Sequence, residues 1–232
     1  MSQIISLSTS AQETIDSYLK MKIGNKTIAC PYFINRLRAY AGLRVFLGKG
    51  TANEIIKEAQ LIAQQKNINL ETISEQELYQ FLAKHHLGID CSALAIYILK
   101  SEYKEKNQIN IIPRIHIVSF WKNPFRCLIS LTRPIENISV RVLASNKNSE
   151  EIKNLNQILP GDMIVHHNLR HVLLIKKTEK ENNVIQKITL VHATRPIKKE
   201  YQGPGVYEIK VSFEDLQKQV NEEKKIIRRL KF

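Results

Sequence analysis

The sequence predicts an α+β fold in which helices from the first half of the chain pack on an antiparallel sheet formed by the second half. Three segments of the first half begin with Ser or Thr followed three residues later by Glu, which is the capping-box pattern of helix starts. In the second half, short β-branched or alternating segments bounded by turn residues indicate strands. Because helices and strands are segregated along the chain, we expect an antiparallel sheet.

Start signals and apolar spacing predict four helices. The capping boxes pair Ser10 with Glu13, Thr51 with Glu54, and Ser74 with Glu77. A further helix is expected from about Cys91 to Tyr103, because a continuous apolar run follows the cysteine. The Gly-Lys-Gly segment at 48–50 is interpreted as a flexible connector before the second helix, and it lacks the spacing of a phosphate-binding loop.

Five strands are predicted in the second half, at 139–144, 163–166, 171–177, 184–192 and 206–211. The third and fourth are joined by a polar turn, and consecutive strands usually pair. In such a hairpin His171 and His192 would lie near the same end. The stretch 101–156 shows no pattern that assigns it.

Composition limits the class of protein. The 232 residues are 43% hydrophobic, which suits a buried core, and no apolar run is long enough to span a membrane. No secretory signal is recognised at the N-terminus, so we expect a cytoplasmic protein or one exported by another route. The net charge of +13 would attract polyanions, although no nucleic-acid-binding motif is present and a solvated basic surface is the favoured interpretation.

Cys91 is the candidate nucleophile. It stands at the predicted start of a helix, where unpaired backbone N–H groups and the helix dipole favour a thiolate. His171 is the expected base that takes the thiol proton, and His192 is the expected partner that holds the His171 ring. Three cysteines without close spacing argue against a disulfide framework, and Cys30 and Cys127 are expected to be ordinary thiols.

A zinc site is the competing interpretation of the histidines. His166, His167 and His171 are clustered in the sequence, but no cysteine or carboxylate with zinc-like spacing completes the set. Catalysis is therefore favoured over metal binding, and the proposed chemistry requires no metal and no organic cofactor.

Four sequence motifs resemble those of NlpC-type cysteine peptidases, which are cell-wall endopeptidases on a papain-like scaffold. Residues 88–93 are similar to the Asp-Cys-Ser-Gly signature of the nucleophile, and 159–164 to a Pro-Gly-Asp-Leu-Val strand. Residues 171–175 are similar to the His-Val-Gly-Ile-Tyr strand that bears the base, and 191–194 to the motif that bears its orienting residue. Ala93 stands where the family usually has glycine.

The resemblance implies a single papain-like domain over 1–232, with insertions at about 35–86 and 103–156. It implies cleavage of peptidoglycan stem peptides next to a D-glutamyl residue. Tyr32, in a Pro-Tyr pair, would lie beside the active site, and Ser92, next to the nucleophile, would contribute its backbone N–H to the substrate oxyanion. Two alternatives stay open: an amidase or acyltransferase on the same scaffold, and a binding module for wall fragments or nucleic acid.

Overall fold

The computed structural model describes residues 2–34, 42–117, 124–182, 184–195, 203–222 and 225–232. Its eight helices within these ranges are α1 Thr9–Leu19, α2 Ala52–Gln65, α3 Glu75–Lys84, α4 Cys91–Asn107, α5 Pro124–Thr132, α6 Pro134–Asn137, α7 Val140–Leu143 and α8 Phe213–Glu222. Short 3-10 turns occupy Arg44–Leu47, Ile112–Arg114 and Leu155–Gln157. None of the helices in the described ranges has the length and apolar composition needed to cross a bilayer.

The strands are β1 Ser2–Ser6, β2 Met21–Ile23, β3 Lys26–Ile28, β4 Ser149–Glu151, β5 Met163–Val165, β6 Val172–Glu181, β7 Val184–Thr194, β8 Gly205–Ser212 and β9 Ile226–Leu230. The main sheet is antiparallel in the order β4-β9-β5-β6-β7-β8, and β1 pairs with the second half of β6. Strands β2 and β3 form a separate hairpin. The predicted α+β class is confirmed.

The main sheet separates two hydrophobic clusters. Along β6, Val172 and Leu174 face the larger cluster, whereas Leu173 and Ile175 face the smaller one, as the two-residue period of a strand requires. Residues 91–99 of helix α4 are all buried, and all of them except Ser92 belong to the larger cluster. The helix packs against α1, β6 and β7. Helix α8 contributes Phe213 to the smaller cluster. The helix that begins at Cys91 is therefore central to the fold.

Two helix starts agree with the predictions and one differs. Thr51 and Ser74 form complete capping boxes at the starts of α2 and α3. At the first helix the capping side chain is Ser8, which accepts a hydrogen bond from Ala11 N–H, so Ser10 lies inside α1. An N-cap serine followed by another serine explains the two-residue error, since either hydroxyl suits the position.

One strand prediction is wrong. The segment 139–144 forms the short helix α7, because the Ser139 hydroxyl caps it by accepting a hydrogen bond from Val142 N–H. The other four strand predictions correspond to β5, β6, β7 and β8. The predicted insertion at 35–86 contains α2 and α3, and the one at 103–156 contains α5, α6, α7 and β4. Whether these ranges are insertions stays a prediction.

Candidate active site

Cys91 is the first residue of α4, and Asp90 is its N-cap. The Asp90 carboxylate accepts a hydrogen bond of 2.7 Å from Ala93 N–H, which satisfies one of the unpaired donors of the first turn. The predicted placement of the cysteine at a helix start is therefore observed. Cys91 is only 4% exposed, so its thiol is enclosed by the surrounding protein.

The thiol lies against the backbone that flanks His171. Cys91 Sγ is 3.9 Å from the carbonyl oxygen of Arg170, to which the thiol donates a weak hydrogen bond. On the other side of His171, the backbone N–H of Val172 acts to lower the pKa of the thiol. The start of β6 is thus held against the start of α4, so Cys91 lies close to the backbone next to His171.

The two candidate histidines form a hydrogen-bonded pair. His171 stands just before β6 and His192 lies near the end of β7, and the two strands pair as an antiparallel hairpin. His171 Nε2 is 3.1 Å from His192 Nδ1. A third ring, His166, meets His171 edge-on with 5.1 Å between ring centroids. Nε2 of His171 is engaged by His192, Nδ1 is its other ring nitrogen, and the role of His171 as the base stays a prediction.

Burial keeps this site neutral at rest. Burial raises the pKa of the Cys91 thiol to about 12, and the adjacent Asp90 carboxylate acts in the same direction. Burial lowers the pKa of His171 to about 3, with further lowering from His192 and His166, and it lowers the pKa of His192 to about 4. The thiolate expected from the helix start is therefore outweighed by desolvation, and the resting side chain is the neutral thiol.

The Pro-Tyr segment lies directly beside the residues that precede Cys91. Ile89 N–H donates to the Pro31 carbonyl at 2.9 Å, and Tyr32 pairs with Ile89, two residues before Cys91, in a β-bridge. The approach requires glycine at position 88, because a Cβ there would lie 2.4 Å from the Pro31 carbonyl oxygen. Tyr32 is partly buried at this position, and its contact with substrate stays a prediction.

The expectation of a flexible connector at 48–50 is wrong. All three residues are buried, and the carbonyl of Gly48 accepts a hydrogen bond from Asp90 N–H at 2.9 Å. Lys49 forms a buried ion pair with Asp90, with 2.8 Å between Nζ and Oδ2. The Ser92 hydroxyl joins the same network, at 2.6 Å from Lys49 Nζ and 2.9 Å from Asp90 Oδ1.

Sequence reasoning missed Lys49, and a lysine between two glycines gave no signal of burial. The capping carboxylate was the available clue, since a buried Asp beside an apolar run requires a cation or several donors nearby. The Ser92 hydroxyl is held in this network, and the contact of Ser92 with substrate stays a prediction.

One polar atom of the site has no partner. His192 Nε2 is buried and makes no hydrogen bond within the described part of the chain. In the ranges that the structure describes, no group of three or more His, Cys, Asp or Glu side chains is arranged to hold a metal ion. The nitrogen without a partner belongs to the ring whose Nδ1 is 3.1 Å from His171 Nε2.

Comparisons with known proteins do not identify a relative. No protein-family model, no curated protein and no solved structure matches the chain.

Proposed function

We propose that the protein is a cysteine hydrolase of amide bonds that uses Cys91, His171 and His192. The observation that carries the proposal is the contact of the Cys91 thiol with the carbonyl oxygen of Arg170, the residue before His171, together with the distance of 3.1 Å between His171 Nε2 and His192 Nδ1. A nucleophile, a base and a group that orients the base are the parts that covalent acyl transfer needs.

The proton inventory of the histidine pair supports His171 as the base. For Nδ1 of His171 to accept the thiol proton, its Nε2 must carry a hydrogen and donate it to His192 Nδ1. His192 then carries its own hydrogen on Nε2. When His171 becomes charged, its bond to His192 becomes charge-assisted, which is roughly twice as strong as a neutral one. His192 therefore helps most in the state in which the thiolate attacks.

The start of α4 supplies donors for the oxyanion. The first N–H groups of a helix have no partners within the helix, and Asp90 satisfies that of Ala93. The N–H groups of Cys91 and Ser92 are then the donors that a developing oxyanion would use. His171 would next protonate the leaving amine, and water would hydrolyse the thioester.

The proposed substrate is a peptidoglycan stem peptide cut next to a D-glutamyl residue. The resemblance of the four motifs to NlpC-type peptidases supports this choice, and such a peptide is anionic. A net charge of +13 favours its approach. The papain-like scaffold, the single domain and the cell-wall role belong to this same proposal.

The test is cleavage of purified muropeptides by the full chain, with products identified by mass. We expect product from the wild-type protein and none above background from Cys91→Ala. Cys127→Ala is the matched control, because Cys127 is a partly exposed thiol on α5, and it should cleave as the wild type does. Equal product from wild type and Cys91→Ala, or none from the wild type, would overturn the proposal.

A further inference from the structure

A buried cation, Lys49, contacts the two residues on either side of the candidate nucleophile in the sequence. The Lys49 side chain is 8% exposed, yet lysine is seldom buried unless it is fully paired. Its ammonium has three partners for its three hydrogens: Asp90, the Ser92 hydroxyl, and the carbonyl oxygen of Ile138 at 2.9 Å. Two of these partners flank Cys91 in the sequence.

The backbone of Lys49 is fixed to the same helix. Its N–H donates to the Arg44 carbonyl at 2.9 Å, and its own carbonyl accepts a hydrogen bond of 2.7 Å from the Tyr97 hydroxyl on α4. Gly48 has a φ of 73°, and a Cβ there would lie 2.3 Å from the Phe33 carbonyl oxygen. Only glycine allows this close approach, so the turn that carries Lys49 is built into the fold.

We propose that Lys49 is a positioning residue for Cys91: it holds Asp90 and Ser92 in place at the start of α4 and neutralises the carboxylate adjacent to the nucleophile. The proposal rests on the proposed function of Cys91 as a nucleophile. It assigns Lys49 no contact with substrate. Its effect would pass through Asp90, which caps the helix, and through Ser92, whose backbone N–H faces the oxyanion.

Asp90 makes such a cation necessary. A carboxylate is one of the preferred side chains for capping a helix, but the negative charge of Asp90 next to Cys91 opposes formation of a thiolate. Lys49 acts on the thiol in the opposite direction, lowering its pKa where Asp90 raises it. Asp90 and Lys49 thus act on the thiol with opposite signs. The pair therefore retains the cap while cancelling its unfavourable charge.

The test is the rate at which iodoacetamide modifies Cys91 in the full-length protein, followed for each cysteine by mass spectrometry at several pH values. Below the thiol pKa the rate follows the thiolate fraction, so a shift of the pKa changes the rate at every pH. Lys49→Met keeps the length of the side chain and removes its charge. We expect it to slow modification of Cys91 roughly tenfold.

Asp90→Asn should act in the opposite direction, because asparagine also caps helices but leaves Lys49 uncompensated. We expect faster modification of Cys91 in this variant, and a rate within about twofold of wild type in Lys49→Met/Asp90→Asn. Arg228→Met is the matched control, because it removes a buried cation that hydrogen-bonds to Asn146 and Ser149, and it should leave Cys91 unaffected.

Cys30 reports on folding, because it is fully buried and should stay unmodified in every folded variant. If Lys49→Met exposes Cys30, that variant is not folded, and the rate of Cys91 modification in Asp90→Asn then decides whether the proposal holds. An unchanged Cys91 rate in folded Lys49→Met, no recovery in the double variant, or no acceleration in Asp90→Asn would overturn the proposal. None of these measurements uses a peptide substrate, so failure of the proposed hydrolase activity would be seen separately in the muropeptide assay.

Discussion

Mild acid is expected to destabilise the folded protein through His171 and His192. In the folded state burial lowers their pKa values from 6.5 to about 3 and about 4, whereas in the unfolded chain both are free to take up protons near 6.5. The unfolded state therefore binds more protons as the pH falls below 6.5. The stability that these rings contribute is present above 6.5 and is lost as the pH falls towards their folded pKa values.

The size of the effect follows from the two shifts. At about pH 5, unfolding gains about 2 kcal/mol from protonation of each histidine, so the pair costs the folded state about 4 kcal/mol. Carboxylates such as Glu54 and Glu77 have pKa values lowered from 4.5 by their hydrogen bonds, so their losses come at lower pH. The window from about pH 7 to about pH 5 thus isolates the histidines.

The assay is urea unfolding at both pH values for the wild type, His171→Asn and His192→Asn. Each substitution should remove about half of the acid sensitivity, or about 2 kcal/mol. His167→Asn is the matched control, because His167 is exposed and adjacent in sequence to the site, and it should keep the full wild-type drop. If both site variants lose as much stability as the wild type, the two rings are not buried and neutral as the structure requires.

Two further predictions concern the support of the site and the sheet. Gly48→Ala should lower the free energy of unfolding by about 3 kcal/mol, because its Cβ would lie 2.3 Å from a backbone carbonyl oxygen. In the control Gly161→Ala, φ is 97° but the nearest atom to the new Cβ is 3.9 Å away, so the loss should be only about 1 kcal/mol. Similar losses for the two variants in denaturant titrations would contradict this prediction. Asp162→Asn should lower the free energy of unfolding by about 3 kcal/mol, because Asp162 is 1% exposed and binds Arg229 through both carboxylate oxygens. The control Asp16→Asn removes one partner of an exposed ion pair and should change the melting temperature little. A small loss for Asp162→Asn would show that its ion pair is not buried.

The elements that the sequence predicts correctly are those determined by contacts between residues close together in the chain. Capping boxes at Thr51 and Ser74 fix helix starts through contacts within four residues, so the sequence suffices. Strand β9 was missed because it carries two arginines. In the fold Arg228 is paired with Ser149 and Asn146, and Arg229 with Asp162, and these partners lie far away in the chain. Hydrophobic periodicity cannot reveal a strand whose charges are satisfied by distant residues.

In the candidate site, too, some features could be predicted from the sequence and others could not. The meeting of His171 and His192 could be predicted because a polar turn joins two consecutive strands and places their ends together. The protonation state of the Cys91 thiol could not be predicted from the sequence. The helix start favours a thiolate while burial opposes it, and burial depends on the whole fold. Lys49 was missed for the same reason, since the partners of its ammonium lie 41, 43 and 89 residues away in the chain, at Asp90, Ser92 and Ile138.

The most direct test of the account is a double-mutant cycle on Cys91 modification by iodoacetamide, with His171→Gln, His192→Gln and the double variant. His192 contacts His171, and its effect on the thiol passes through His171. His171→Gln should therefore slow the reaction roughly 100-fold, His192→Gln should slow it less, and the double variant should be no slower than His171→Gln alone. If the two losses multiply in the double variant, or if His171→Gln leaves the rate unchanged, the three residues do not act as one unit.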